Sequence, residues 1–173
     1  MISHLSQKGR MGFVLANGSM SSDSNNEGKI RQAILENDLV EGIVALPGQL
    51  FYTVQIPVCL WFITREKKQS GKTLFIDAKD LGVMVGRTQK QITEEEIKHI
   101  AATFERFRNG KDVDELGFAK AATLEEIAAN NYVLTPGRYV GIKTGAVDSE
   151  PFEEKMARLT TELGGLFAES HKL

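Results

Sequence analysis

Residues 56–64, Ile-Pro-Val-Cys-Leu-Trp-Phe-Ile-Thr, are apolar at nearly every position. A strand with one face in water alternates apolar and polar residues at a period of two, and this run does not. It is expected as a central strand, buried on both faces, with Pro57 near its start because proline removes a ladder donor.

Candidate partner strands surround it in the sequence. Met11-Gly-Phe-Val-Leu-Ala16, bounded by Gly9-Arg10 and Asn17-Gly18, reads as a short buried strand. Val40-Glu-Gly-Ile-Val-Ala-Leu46 is a second, stopped by Pro47-Gly48. Thr73-Leu-Phe-Ile-Asp77 is a further one, reached through the charged turn 65–72 and expected to form an antiparallel hairpin with 56–64. Residues 17–28 are rich in turn formers and lack an apolar period, so a functional or mobile loop is expected. Residues 28–38 read as a helix with Ile30, Ala33 and Ile34 on one face and Lys29, Arg31 and Glu36 off it.

The second half of the chain is helical in pattern. Thr93-Glu-Glu-Glu96 is a capping box, followed by Ile97, Ile100, Phe104 and Phe107 at helical spacing. Acidic residues open that helix and Arg106 and Arg108 close it, which suits the helix dipole. Thr123-Leu-Glu-Glu126 repeats the capping signature, and Pro136-Gly137 marks a turn. From Pro151, a last helix carries Phe152, Met156, Leu159, Leu163 and Leu166 in a coiled-coil-like seam. Gly164-Gly165 weakens its far end by about 1 kcal/mol per glycine. The order is α/β in front and helical behind.

Composition narrows the chemistry. The 21 Lys and Arg against 23 Asp and Glu give a net charge of −2, so any nucleic-acid contact must be local or shared with other subunits. One cysteine, Cys59, excludes an internal disulfide and a multi-cysteine zinc site, and reads as a packed small hydrophobe. The three histidines show no metal-ligand spacing. No apolar run approaches the ~20 residues of a membrane span, and no signal sequence is evident, so a cytoplasmic setting without membrane contact is expected.

Three segments taken together carry a specific resemblance: Gly9-Arg-Met-Gly-Phe-Val-Leu-Ala-Asn-Gly18, the stretch from Ile30 to Pro47, and Gln49-Leu-Phe-Tyr-Thr-Val-Gln-Ile-Pro-Val-Cys-Leu-Trp-Phe62. In that order they resemble the second half of the methylation (M) subunit of type I restriction–modification systems. Leu74-Phe-Ile-Asp-Ala78 and Asn131-Tyr-Val-Leu-Thr-Pro-Gly-Arg-Tyr-Val140 continue the match. The resemblance implies an N6-adenine DNA methyltransferase that moves a methyl group from S-adenosyl-L-methionine to an adenine flipped out of the duplex. It implies the rear half of a Rossmann-like methyltransferase sheet, mixed with an antiparallel hairpin, over residues 1–110. A helical, subunit-docking region is expected over 111–173. The implied partners are DNA and the specificity and restriction subunits of the same system.

The family's Gly-rich cofactor loop and Asn-Pro-Pro-Phe/Tyr tetrapeptide do not occur here; no Asn-Pro pair exists in the chain. The chain is therefore expected to be a fragment, inactive alone and without tight cofactor binding. The rival expectation is a non-enzymatic α/β interaction module or gene remnant acting by helix-mediated association.

Candidate site residues follow, each beside a plainer reading. The resemblance puts Phe51, with Tyr52, where an aromatic stacks on the extruded base; the plainer reading is a core aromatic at a strand end. Arg65, Lys67, Lys68 and Lys72 in the basic turn, and Arg87 and Lys90 in the loop after Leu81, are candidates for phosphate contact. Lysines in exposed turns also serve solubility. Phe152, Met156, Leu159 and Leu163 are the expected subunit interface, the alternatives being packing within the chain or self-association.

Overall fold

A computed structural model of the chain describes residues 2–142 and 152–170, apart from the side chains of 152, 168 and 169. The chain divides into two compact units, residues 1–143 and residues 144–173.

The first unit is built on a five-stranded mixed sheet of β1 (Arg10–Ala16), β2 (Val40–Ala45), β3 (Val58–Thr64), β4 (Lys72–Asp77) and the later strand Ala119–Thr123. Between β4 and that last strand lies a separate small hairpin of β5 (Val83–Met84) and β6 (Lys90–Gln91), which makes Ala119–Thr123 β7. The spatial order is β1-β3-β2-β4-β7. β3 is antiparallel to both β1 and β2, β2 is parallel to β4, and β7 is antiparallel to β4.

The run 56–64 thus gives an interior strand, but its antiparallel partners are β1 and β2. The expected hairpin with 73–77 does not form, because β2 lies between β3 and β4. All six residues of β2 are buried, so it fills the place where that hairpin contact would have been. Met11-Gly-Phe-Val-Leu-Ala16 is a strand but not a buried one: paired only with β3, it is an edge, and Val14 and Leu15 stay exposed. The sheet also runs past residue 110, since β7 pairs with β4. The expected division at 110 moves to 143.

Helices cover the two faces. α1 (Glu27–Glu36), α3 (Leu124–Ala129) and the segment around Leu134 and Tyr139 belong with Ile43, Trp61 and Phe75 to one core. α2 (Glu94–Arg108) brings Phe104 and Phe107 to the other, with Val44, Leu74 and Ile76. Adjacent residues Ile43 and Val44 thus point to opposite cores, as the strand period of two requires. At Gly42 an added Cβ would stand 2.8 Å from the Phe104 ring, so only glycine lets α2 sit this close to β2. The ladder shifts register between Val40 and Gly42, a bulge that frees Glu41 from the regular pairing.

Both capping boxes are present, at Thr93/Glu96 and Thr123/Glu126. On α1, however, the inward residues are Arg31 and Leu35, while Ile30 is 57 % exposed. The second unit is described by α4 (Phe152–Ser170).

Candidate functional site

Since β1 and β2 both run antiparallel to β3, and β4 runs with β2, the carboxyl ends of β1, β2 and β4 share one rim of the sheet. Three loops leave from it, 17–26, 46–57 and 78–93. Ala16 faces Val58 and Ala45 faces Cys59 across the ladder, so the first two loops start side by side. Ligands of open α/β sheets gather beyond such carboxyl ends.

The first loop is not loose. Arg31, only 3 % exposed, reaches into it from α1: Nε donates to the Tyr132 carbonyl at 3.2 Å, Nη1 to the Ser19 and Ser22 carbonyls, and Nη2 to Asp23 Oδ1 at 3.1 Å. Met20 is buried, and the Leu134 amide donates to its carbonyl at 2.8 Å. The turn-rich sequence, without a period, reads as a functional or mobile loop; a guanidinium with several carbonyl partners orders it. Cys59 is fully buried, as expected, beside the Ser19 hydroxyl at 3.5 Å.

The second loop carries Phe51 and Tyr52. Pro47-Gly48 ends β2, and Gln49 in the left-handed region turns the chain back so that its amide meets the Gln55 carbonyl at 3.3 Å. The result is an exposed apolar crest: Phe51 is 47 % and Tyr52 89 % exposed, and Val54 and Ile56 are also exposed. Phe51 is therefore not a core aromatic.

The third loop contains the β5–β6 hairpin, whose turn is closed by the Val85 amide on the Gln89 carbonyl at 3.0 Å. Its base is tied twice. The Gly82 amide donates to Glu96 Oε1 at 2.8 Å, and the Lys90 amide donates to the Gln49 carbonyl at 2.9 Å. The hairpin thereby anchors the crest of the second loop, two residues before Phe51. The Gly82 amide, and after it the Thr93 amide, hold the Glu96 carboxyl below its ordinary range. The pattern Gly82-Val-Met-Val-Gly86 was the available sign of this hairpin, apolar residues between glycines in an otherwise polar stretch.

The basic candidates separate into two groups. Arg87 is exposed and Lys90 half-buried, both in the third loop. The turn 65–71 joins the end of β3 to the start of β4, which is the opposite rim of the sheet. With β3 seven residues long, the two rims lie about 20 Å apart at about 3.3 Å per residue. Arg65 and Lys68 are exposed there, Lys72 is exposed at the start of β4, and Arg65 Nη2 donates to the Ile2 carbonyl at 3.2 Å. Lys67 is not available to a phosphate: its side chain is 3 % exposed and its ammonium is paired with Asp38. The six cations do not make one surface.

On the face of the sheet next to β1, Met11, Phe13, Ile30, Ile34 and Trp61 line an apolar groove of about 500 Å³. Phe13 and Trp61 stack at 6.2 Å between centroids. The Trp61 Nε1 is buried with no hydrogen-bond partner among the described residues. On α4, Met156, Leu159 and Leu163 are exposed, and Leu166 and Phe167 extend the stripe. The Phe152 side chain lies outside the described residues. Among the described residues no cluster of His, Cys, Asp and Glu is arranged to hold a metal ion, and no helix is long and apolar enough to cross a membrane.

Residues 1–147 match the family described as N-6 DNA Methylase. The chain belongs to that family. It is 51 % identical over 174 residues to the type I restriction enzyme HindI methylase subunit of Haemophilus influenzae, covering all of this chain and 39 % of that protein. It is 54 % identical over 177 residues to the MjaIX methylase subunit of Methanocaldococcus jannaschii, covering 99 % of this chain and 31 % of the relative. Among solved structures, the type I restriction–modification methyltransferase subunit of Streptococcus thermophilus superposes on 80 % of the chain with a TM-score of 0.70 and 32 % identity. That match uses 28 % of the longer protein. The methylase-family chain thus spans well under half the length of these relatives. Its mixed sheet with helices on both faces is a portion of the fold of type I methyltransferase subunits.

Proposed function

We propose that this chain forms the rear part of the catalytic domain of a type I adenine-N6 DNA methyltransferase subunit, lending it one wall of the pocket for an extruded adenine. The observation that carries this reading is Phe51, an aromatic held half-exposed at the carboxyl end of β2 where a buried aromatic would have been the ordinary outcome. An aromatic face replaces the stacking that a base loses on leaving the duplex, at about 1–3 kcal/mol per base. Tyr52 widens the same crest. Arg87 and Lys90 on the neighbouring hairpin are the phosphate-contacting residues of this reading, while Arg65, Lys68 and Lys72, on the other rim, take no part in that contact.

The chain does not by itself offer a site for S-adenosyl-L-methionine. Of the acids on this rim, Asp77 is paired with Lys79 at 3.1 Å and Asp23 with Arg31 at 3.1 Å. The Gly-rich loop of the resemblance is absent from the sequence. The complete subunit supplies that half. The free edge of β1, and the groove with its unpartnered Trp61 N–H, are consistent with a sheet that continues beyond β1. The α4 stripe is the proposed contact with the specificity subunit, and the restriction subunit joins through that assembly.

The test is Phe51→Ala in the complete subunit assembled with its specificity partner. Single-turnover methylation is expected to fall by about tenfold or more, in line with a lost stacking contact, with cofactor affinity unchanged. Equal rates for mutant and parent overturn the pocket reading. The association-only alternative draws on the exposed α4 stripe, and full complex assembly by an α4-disrupted subunit argues against it.

A further inference from the structure

The β5–β6 hairpin is the least explained feature of the rim. Val83, Met84 and Val85 are three consecutive apolar residues, each about half exposed, on a hairpin too short to build a core of its own. Isolated hairpins of this size fray in water, yet this one is braced at its base by the Gly82–Glu96 and Lys90–Gln49 hydrogen bonds. Gly82 adopts a φ of +87°, and an added Cβ there would stand 3.0 Å from the Gln91 carbonyl oxygen, so the base is built for glycine. Holding apolar side chains outward at such a fixed point has a cost in water, and among the described residues nothing covers them.

Charge narrows the kind of surface that covers them. Loops 46–57 and 78–93 together contain the cations Lys79, Arg87 and Lys90 against the acid Asp80; Lys79 is paired with Asp77 just before the second of them, which leaves Arg87 and Lys90 beside the apolar tip. Arg87 lies in the hairpin turn itself. An apolar tip flanked by cations suits a nucleic-acid duplex: the cations meet phosphates and the apolar residues enter between base steps. One hydrogen bond ties the hairpin directly to the stacking crest, since the Lys90 amide donates to the Gln49 carbonyl two residues before Phe51.

We propose that the β5–β6 hairpin is a duplex wedge. Met84 enters the gap that an extruded adenine leaves in the stack, Val83 and Val85, on the opposite face of the extended strand, pack against the groove, and Arg87 holds the adjoining backbone. This inference rests on the base-pocket reading of Phe51. It adds that extrusion and capture are performed by two neighbouring elements joined through Gln49. Filling the vacated space disfavours return of the base, and that matters only when the base begins paired.

The experiment uses the complete subunit assembled with its specificity partner and two duplexes. In one the target adenine is paired normally; in the other it lies opposite an abasic site. A triple variant, Val83→Ser, Met84→Ser and Val85→Ser, alters only exposed side chains and is compared with Met84→Ala and Phe51→Ala. The triple variant is expected to methylate the paired duplex about tenfold more slowly and the abasic duplex within about twofold of the parent, with Met84→Ala intermediate. Phe51→Ala slows both duplexes. Equal slowing of both duplexes by the triple variant overturns the wedge and points to a protein contact or to general substrate binding. No slowing of either also overturns it. If Phe51→Ala slows neither duplex, the pocket reading fails by its own measurement, whatever the hairpin variants do.

Discussion

Arg108 grips Glu41 with both arms of its guanidinium, Nε to Oε1 at 2.9 Å and Nη2 to Oε2 at 2.7 Å. The pair joins the last turn of α2 to the bulge of β2. The Glu41 side chain is 3 % exposed, and the guanidinium lies 4.8 Å from the centre of the Phe104 ring. Removing one member of such a pair strands a buried charge. Arg108→Ala is therefore expected to destabilise the first unit by about 3 kcal/mol, and adding Glu41→Leu to recover much of that loss. Urea unfolding followed by tryptophan fluorescence measures both; a double variant no more stable than Arg108→Ala would mean that the contribution is packing rather than charge.

Asp38 joins two turns at the rim opposite the site. Burial pushes its carboxyl up, but hydrogen bonds from Lys67, Ser70 and the Gly71 amide, with the Lys67 charge, more than offset this and leave it below its ordinary value. A carboxyl lowered in the folded state stabilises the fold above its unfolded value of about 4, and that contribution is lost as pH falls through the lower folded value. Asp38→Asn keeps a residue that tolerates the positive φ of 54° and removes the titration. The variant should lose less stability than the parent between pH 5 and the acid limit (about pH 2). Parallel urea midpoints across that range would contradict this account.

Arg31 was legible as a helix residue but not as an inward one. Helical periodicity places isoleucines inside, and arginine is seldom fully buried. The carbonyls of Ser19, Ser22 and Tyr132, the last of them 101 residues away, reverse that preference, and no local pattern announces so distant a partner. Strand order failed for a similar reason. The run 56–64 does declare an interior strand, yet whether β2 or β4 lies beside it depends on the crossover from β2 to β4, which periodicity does not encode. β7 was missed because Ala-Lys-Ala-Ala-Thr has almost none of the bulk that marks a strand; it pairs with β4 and adds only the small side chains of Ala119 and Ala122 to cores that Phe75 and Ile76 fill. The candidate site was legible only through the family resemblance: Phe51 is an ordinary aromatic by composition, and its exposure emerges from the Gln49 turn.

The Arg31 clamp gives a prediction for the first loop. Arg31→Lys keeps the charge but cannot span several acceptors in different directions. Amides in residues 19–26 should exchange hydrogen about tenfold faster, or more, in that variant, while those of β2 and β4 keep the parent rate. Uniform acceleration across the sheet would show a global loss of stability and not the release of one loop.

The last prediction concerns α4, whose Met156, Leu159 and Leu163 are all exposed, with Leu166 and Phe167 beyond them. Each such side chain contributes roughly 1.5–3 kcal/mol when fully buried against a partner. Three to five together are sufficient to offset the entropic cost of association, which is of order 4–15 kcal/mol. On the reading proposed above, the partner of the stripe in the isolated chain is a second copy and in the full assembly the specificity subunit. Sedimentation velocity on the isolated chain should therefore show concentration-dependent self-association. Met156→Glu with Leu159→Glu should shift it to monomer without changing the unfolding midpoint of the first unit, because these residues lie in the second compact unit. The same double variant introduced into the complete subunit should weaken capture of the specificity subunit. A parent chain that stays monomeric at high micromolar concentration, together with undiminished capture by the variant subunit, would remove α4 from the interface.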